Sequence, residues 1–269
     1  MSAPPRAPRP AAHCWKLVVE YDGTRYGGWQ EQRNATTVQG VLRSAAEKVF
    51  EERVEIGGAG RTDAGVHALG QVVHLRTTRP MAAKALFYGL NDALPPDVNV
   101  LRIDPAAASF HARHQALERS YLYQISTRRT AFGKRFVWWV KDSLDESAMV
   151  TAASLFEGRH DFESFCDRDD PKDSTIVHVR ESRIVGAGDL LLYRVAASHF
   201  LWKMVRRMVG TIVAVGRGQL TPAQVSTLLR TPSRVPAPLT APPSGLFLEQ
   251  VRYIADEPQR ELVPAFPVE

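Results

Sequence analysis

The sequence predicts an α+β fold, a mixed and mostly antiparallel sheet with flanking helices, and three observations carry that expectation. Short runs rich in β-branched and aromatic residues recur along the whole of the 269-residue chain. In the first half they alternate with two helical periodicities in the order β-α-β-β-α-β, the split ferredoxin-like unit. In the second half strands outnumber any pattern of parallel crossovers. The chain is therefore expected to form two such halves, 14–108 and 109–255, with a cleft between them. Residues 1–13 and 256–269 are expected to be tails.

Taken in order, Trp15 to Tyr21 reads as a strand, ended by the turn Asp22-Gly23-Thr24 and a glycine-rich aromatic loop, Tyr26 to Gln30. Thr36-Thr37-Val38-Gln39 reads as a capping box, and Val38, Val41, Leu42, Ala45 and Val49 follow at helical spacing. Strands are expected at Val54 to Ile56, Gln71 to Arg76 and Val98 to Ile103, with a helix from Met81 to Ala93 closed by Leu94-Pro95-Pro96. The second half opens on the strand Arg119 to Ile125, whose Arg119, Tyr121, Tyr123 and Ile125 share one face. A strand at Phe136 to Val140 and a helix from Asp145 to Phe156 follow. Gly186-Ala187-Gly188-Asp189 joins an antiparallel pair, Val177 to Val185 and Leu190 to Ala196. Helices from His199 to Val215 and Pro222 to Leu229, a proline-rich link and a strand from Leu246 to Tyr253 complete the chain.

Composition excludes several classes. An apolar content of 44% and a charged content of 23% are those of a globular protein. Cys14 and Cys166 are too few for a disulfide framework or a zinc site, which fits a reducing cytoplasm. His111 and His114 lack further donors nearby and are read as non-ligands. No apolar run approaches membrane-spanning length, and the proline-rich residues 1–12 have no apolar signal region. The net charge of +5 is mild, and by itself weak evidence for a nucleic-acid partner.

One stretch stands out, Gly57 to Ala68, with Arg61, Asp63 and His67 on a loop between two strands. Four glycines within Gly57 to Gly65 let the backbone turn tightly and approach other groups. It is not a phosphate loop: Val66-His67 stands where Lys and then Ser or Thr are required, and the third glycine of a dinucleotide fingerprint is missing. Asp63 either closes an ordinary Asx turn with Arg61 as a surface partner, or serves a site. On the helix beginning at His199, Met204, Val205, Met208, Val209, Ile212 and Val213 make a buried stripe with Arg206 at its border. Arg206 either snorkels to solvent or reaches a partly buried carboxylate, while Lys203 and Arg207 fall on the row away from the core, free for solvent or phosphate. Tyr121 is either core, or a platform for an unpaired base beside Arg119 and Arg113.

Gly60-Arg61-Thr62-Asp63-Ala64-Gly65-Val66-His67-Ala68 resembles the signature of the tRNA pseudouridine synthase A family. Tyr21-Asp22-Gly23-Thr24, Gly28-Trp29-Gln30 and Thr37-Val38-Gln39-Gly40 resemble its earlier motifs. Phe110-His111-Ala112-Arg113, Arg119-x-Tyr121-x-Tyr123, Gly158-x-His160-Asp161-Phe162, Met204-Val205-Arg206 and Pro242-Pro243-x-Gly245-Leu246 resemble the later ones, in the family's order over residues 15–253. The resemblance implies the pseudouridine-synthase-like fold and an isomerase that converts uridine to pseudouridine in the anticodon arm of tRNA, positions 38 to 40, without cofactor or metal. It implies a cytoplasmic homodimer with no membrane association. Asp63 matches the family's catalytic carboxylate and Arg206 the basic residue paired with it. Tyr121 matches the tyrosine that packs on uracil, Arg61 the arginine that holds or replaces the flipped nucleotide, and Leu246 the leucine lining the other side of the pocket. Small departures, such as Ser198-His199 before Phe200 and the proline-rich N-terminal tail, touch no matched site residue. Two readings from other classes stay open on the residues alone. One is a non-catalytic RNA-binding protein; the other is a hydrolase needing a second carboxylate, for which Asp22 and Asp161 are the nearest candidates.

Overall fold

β1 (His13–Tyr21) is the first element of the computed structural model, which describes residues 13–168, 172–254 and 257–268. Its alternation buries Trp15, Leu17, Val19 and Tyr21 in the main core, so its register is fixed by the face it hides. β1 pairs antiparallel on one side with β4 (Val98–Ala106) and on the other with β3 (His67–Thr77). β2 (Glu55–Gly58) lies on the far edge of β3, so the order β4-β1-β3-β2 is that of the expected split unit. Its helices are α1 (Val38–Phe50) and α2 (Ala83–Ala93). The capping box at Thr36 is not formed. Thr37 is the N-cap and accepts from Gly40 N, while Gln39 turns its amide inward to donate to Ile56 O at 3.0 Å.

The second half repeats the plan. β5 (Glu118–Ser126), α3 (Glu146–Ser154), β8 (Ile176–Ala187), β9 (Leu190–Ala197), α4 (Met204–Gly216) and β10 (Leu246–Arg252) run in the same β-α-β-β-α-β order. Their sheet order, β10-β5-β9-β8, is the same as well, with β7 (Gly158–Asp161) added beyond β8. α5 (Pro222–Leu228) follows α4, and Thr221 and Gln224 cap it reciprocally. The expected strand at Phe136 to Val140 shrinks to β6 (Trp138–Trp139), because β6 only fills the short stretch of β5 that β10 leaves free.

One parallel contact joins the halves into a ten-stranded sheet: Phe247 and Leu248 of β10 sit beside His67 and Ala68 of β3. β2 occupies the same edge of β3 further along, at Val73 to Arg76. The loop between Gly58 and His67 therefore leaves the sheet where β3 changes partner from one half to the other. On the sheet face that they cover, α1 packs on α2, and α3 on both α4 and α5.

Two further expectations are corrected. The helix expected from His199 starts at Met204, because Lys203 takes the left-handed conformation (φ 62°) and Trp202 O accepts from Asp167 N at 3.1 Å. Residues 257–268, expected to trail as a tail, pack on the reverse face of the sheet. There Leu262, Ala265 and Val268 cover Leu122, Leu190, Leu192 and Phe247, and Gln124 Oε1 accepts from Ala265 N at 2.7 Å. Every residue of β5 is buried, so the strand needs cover on both faces. The expected N-terminal tail lies outside the described residues except for His13.

Candidate active site

The loop that carries Asp63 is held at both ends. At its start, Ala59 N donates to Val72 O at 2.8 Å, and the buried amide of Gln71 brackets Gly60: Nε2 donates to Gly60 O at 2.7 Å and Oε1 accepts from Gly60 N at 3.3 Å. Tyr21 and Thr62 share a hydroxyl–hydroxyl hydrogen bond of 2.8 Å. Trp29 N donates to Thr62 O at 3.0 Å, an approach open to the backbone because Gly28 (φ 97°) has no Cβ; one there would lie 2.6 Å from that same oxygen. Gly65 (φ 78°) turns the chain beneath Pro243. At the far end the imidazole of His67 accepts from Gly23 N at Nδ1 (3.0 Å) and donates from Nε2 to Arg135 O (2.9 Å). Burial lowers the His67 pKa, against the opposing pull of the Asp22 carboxylate 3.2 Å from Nδ1.

Arg206, on the first turn of α4, reaches across the seam. Its Nε donates to Ala241 O at 2.7 Å and its Nη1 to Asp63 Oδ2 at 3.1 Å, with the two side chains 17% and 28% exposed. Asp63 is thus open enough to meet a ligand and is countered by a cation tethered to a third segment. Tyr121 is buried on the same side. Its ring edge meets Phe200 (centroids 5.0 Å, 86°), and its hydroxyl lies 3.8 Å from where a Gly60 side chain would begin. Burial raises the Tyr121 pKa, and Tyr21 and Asp63 add to the rise, so its hydroxyl stays protonated.

Three of the five candidate residues, Asp63, Arg206 and Tyr121, come together in this way. Arg61 is exposed on the Asp63 loop. Leu246 is buried opposite Tyr123, whose hydroxyl donates to Pro242 O at 2.8 Å in the segment that also receives Arg206. Two charge assignments are corrected. Lys203 and Arg207 are not free for solvent or phosphate; both donate to Asp167, half-buried Lys203 at 2.7 Å, and Arg207 is buried. The Lys203 ammonium, and after it Arg207, hold the Asp167 carboxyl below its usual range. Arg119 is not available to phosphate, because its guanidinium donates to Ala59 O, Arg113 O, Ala116 O and Ser198 O. It clamps the start of the Asp63 loop instead.

Sequence reasoning missed Gln71, although a glutamine in an otherwise apolar run was its signal. Tyr21 and Ala241 stand in or beside the motifs that carry the resemblance but were given no role; Ala241 acts through its backbone alone. The carboxylates weighed as hydrolytic partners are engaged elsewhere, Asp22 with Thr24 and Asp161 with Glu163 N and Thr175. Among the described residues no group of three or more His, Cys, Asp or Glu could hold a metal ion, and no helix is long and apolar enough to cross a membrane.

Comparison with known proteins matches residues 17–115 and 152–254 to a family model described as tRNA pseudouridine synthase. A tRNA pseudouridine synthase A of Geobacter sulfurreducens is 42% identical over 240 residues, 88% of this chain and 98% of the relative. Those of Thermoanaerobacter sp. (strain X514) and Myxococcus xanthus are each 41% identical, covering 88% and 91% of this chain and 98% and 94% of their own.

Proposed function

The chain belongs to the tRNA pseudouridine synthase family, isomerases that act on tRNA, and from that premise we propose that it converts uridine to pseudouridine at positions 38 to 40 of the anticodon arm with Asp63 as its catalytic carboxylate. A base inside a stacked arm is out of reach of a half-buried side chain, so the target nucleotide has to leave its stack. Tyr121 then packs on the uracil as a neutral ring, Leu246 lines the other side of the pocket, and exposed Arg61 holds or replaces the extruded nucleotide. Asp63 meets C1′ of the ribose. Attack at C1′ and removal of a sugar proton both require a carboxylate, and Arg206 is its counter-charge. The N1–C1′ bond breaks, uracil rotates, and C5 bonds to C1′; C5 then loses its proton and N1 ends protonated, so the isomerisation consumes no water and no cofactor. A cytoplasmic homodimer binding one tRNA across both subunits belongs to the same proposal.

The observation that supports this most is the Arg206–Asp63 pair, formed between residues 143 apart in sequence at the junction of the two halves. Asp63→Asn keeps the loop's shape and removes the charge. It should fold, bind tRNA as the parent does, and form no pseudouridine when the tRNA is mapped at single-nucleotide resolution. Product from that variant, or parental product confined to sites outside 38 to 40, would contradict the corresponding part of the proposal.

A further inference from the structure

The net charge of the chain is concentrated in one place. Residues 127–141, Thr-Arg-Arg-Thr-Ala-Phe-Gly-Lys-Arg-Phe-Val-Trp-Trp-Val-Lys, contain Arg128, Arg129, Lys134, Arg135 and Lys141 and no acidic residue. Removing these five from the 34 basic residues leaves 29, equal to the 29 acidic ones, so this segment carries the whole formal excess of +5. It also exposes aromatic surface: Phe132 is 88% exposed and Trp139 41%, with the Arg129 guanidinium 5.9 Å from the Trp139 ring centroid.

The segment is built rather than loose. Ser126 Oγ donates to Arg128 O, Thr127 N donates to Asp189 O, and Thr130 Oγ1 accepts from Gly133 N at 3.1 Å. Phe136 stacks on Phe266 of the packed C-terminal segment (5.1 Å). Asp189 takes Arg128, and Asp22 meets Arg135 at 3.4 Å. Among the described residues no carboxylate lies within ion-pair range of exposed Arg129 or Lys134. The segment is also tied to the site, since Arg135 O accepts from His67 and Val137 O accepts from Ser244 Oγ at 3.2 Å.

We propose that residues 127–141 form a second docking surface for the tRNA, on which Arg129 and Lys134 bind backbone phosphates and Phe132 stacks an unpaired base. Cations next to exposed rings are what a single-stranded or looped nucleic acid recognises: phosphates release counterions onto the cations, and a base covers the ring whatever its sequence. A second copy of this chain fits less well, because in a two-fold contact the surface would set exposed Arg129 and Lys134 against their own like charges. The proposal rests on a tRNA substrate and not on which uridine is modified.

The test measures the affinity of a tRNA transcript across a salt series, together with steady-state kinetics. Arg129→Glu with Lys134→Glu should weaken binding about tenfold or more and lower the slope of log K against log salt by about 1.5 for two lost phosphate contacts. Phe132→Ala should weaken binding about tenfold with the salt slope unchanged. All three positions are exposed, so melting temperatures should stay at the parental value, KM should rise and kcat at saturating tRNA should hold. Parental affinity and salt slope in both variants would overturn the proposal. So would loss of self-association in the variants, seen by sedimentation, with RNA affinity intact, since the surface would then be an interface between copies. A different map of modified uridines would overturn the anticodon-arm assignment and leave these affinities untouched.

Discussion

At the scale of single residues, the site depends on groups that never touch substrate. Gln71 sits at a fully buried position of β3 and uses both ends of its amide on the backbone of Gly60. Leucine there would fill similar space but leave one N–H and one C=O without partners, at a cost of about 1–3 kcal/mol. Gln71→Leu should therefore lower stability by that amount. It should also reduce kcat more than it raises KM, because it loosens the loop that aims Asp63 while leaving the RNA-facing surface alone. A variant that melts early but turns over at the parental kcat would show that Gln71 only stabilises the fold. Arg119 makes the same point: its residue type suggested phosphate binding, and its carbonyl partners account for all of its reach.

At the scale of elements, α4 is held against the segment 239–241 by a close approach that only glycine permits. A Cβ on Gly210 would lie 1.6 Å from Leu239 O, while Arg206, four residues earlier, receives Ala241 N and donates to Ala241 O. Alanine in a helix interior gains about 1 kcal/mol over glycine. Here the overlap is with backbone, and pushing the two segments apart costs about 1–3 kcal/mol or more. The steric cost wins. Gly210→Ala should lower the melting temperature and, by displacing Arg206 from Asp63, reduce kcat as well. An unchanged or higher melting temperature would show that the helix absorbs the methyl group without moving.

At the scale of the whole molecule, the single sheet is covered on both faces over its middle strands. The helices cover one face of β5, and residues 257–268 cover the other, where Arg194 and Glu249 form a buried ion pair and Arg194 Nη2 also donates to Glu261 O at 3.1 Å. Ending the chain after Tyr253 would bare Leu122, Leu192 and Phe247 and open that ion pair to water. Losing the cover of Leu262, Phe266 and Val268 should cost on the order of 3–5 kcal/mol, read as a lower denaturation midpoint in urea. An unchanged midpoint would mean the segment rests on the sheet without stabilising it.

The sequence alone determined the order of the strands and helices apart from short β7, because a period of two or of 3.6 is written locally, residue by residue. It also pointed to Asp63, through glycines that an ordinary turn does not need. It misplaced the start of α4, since Phe200, Leu201 and Trp202 carry helical spacing while a left-handed Lys203 and a bridge to Asp167 take them out of the helix. It misread Arg207 and residues 257–268 for a related reason: whether a charge meets water or a carboxylate, and whether a short apolar run finds a face to cover, depends on segments far away in the chain. Only the tertiary structure decided that β3 exchanges β2 for β10 at the point where the loop emerges; it also set Arg206 opposite Asp63 there, a pairing that the family resemblance implied and that the residues' own spacing left open. That meeting is set by the packing of two halves against each other, and no local pattern encodes it.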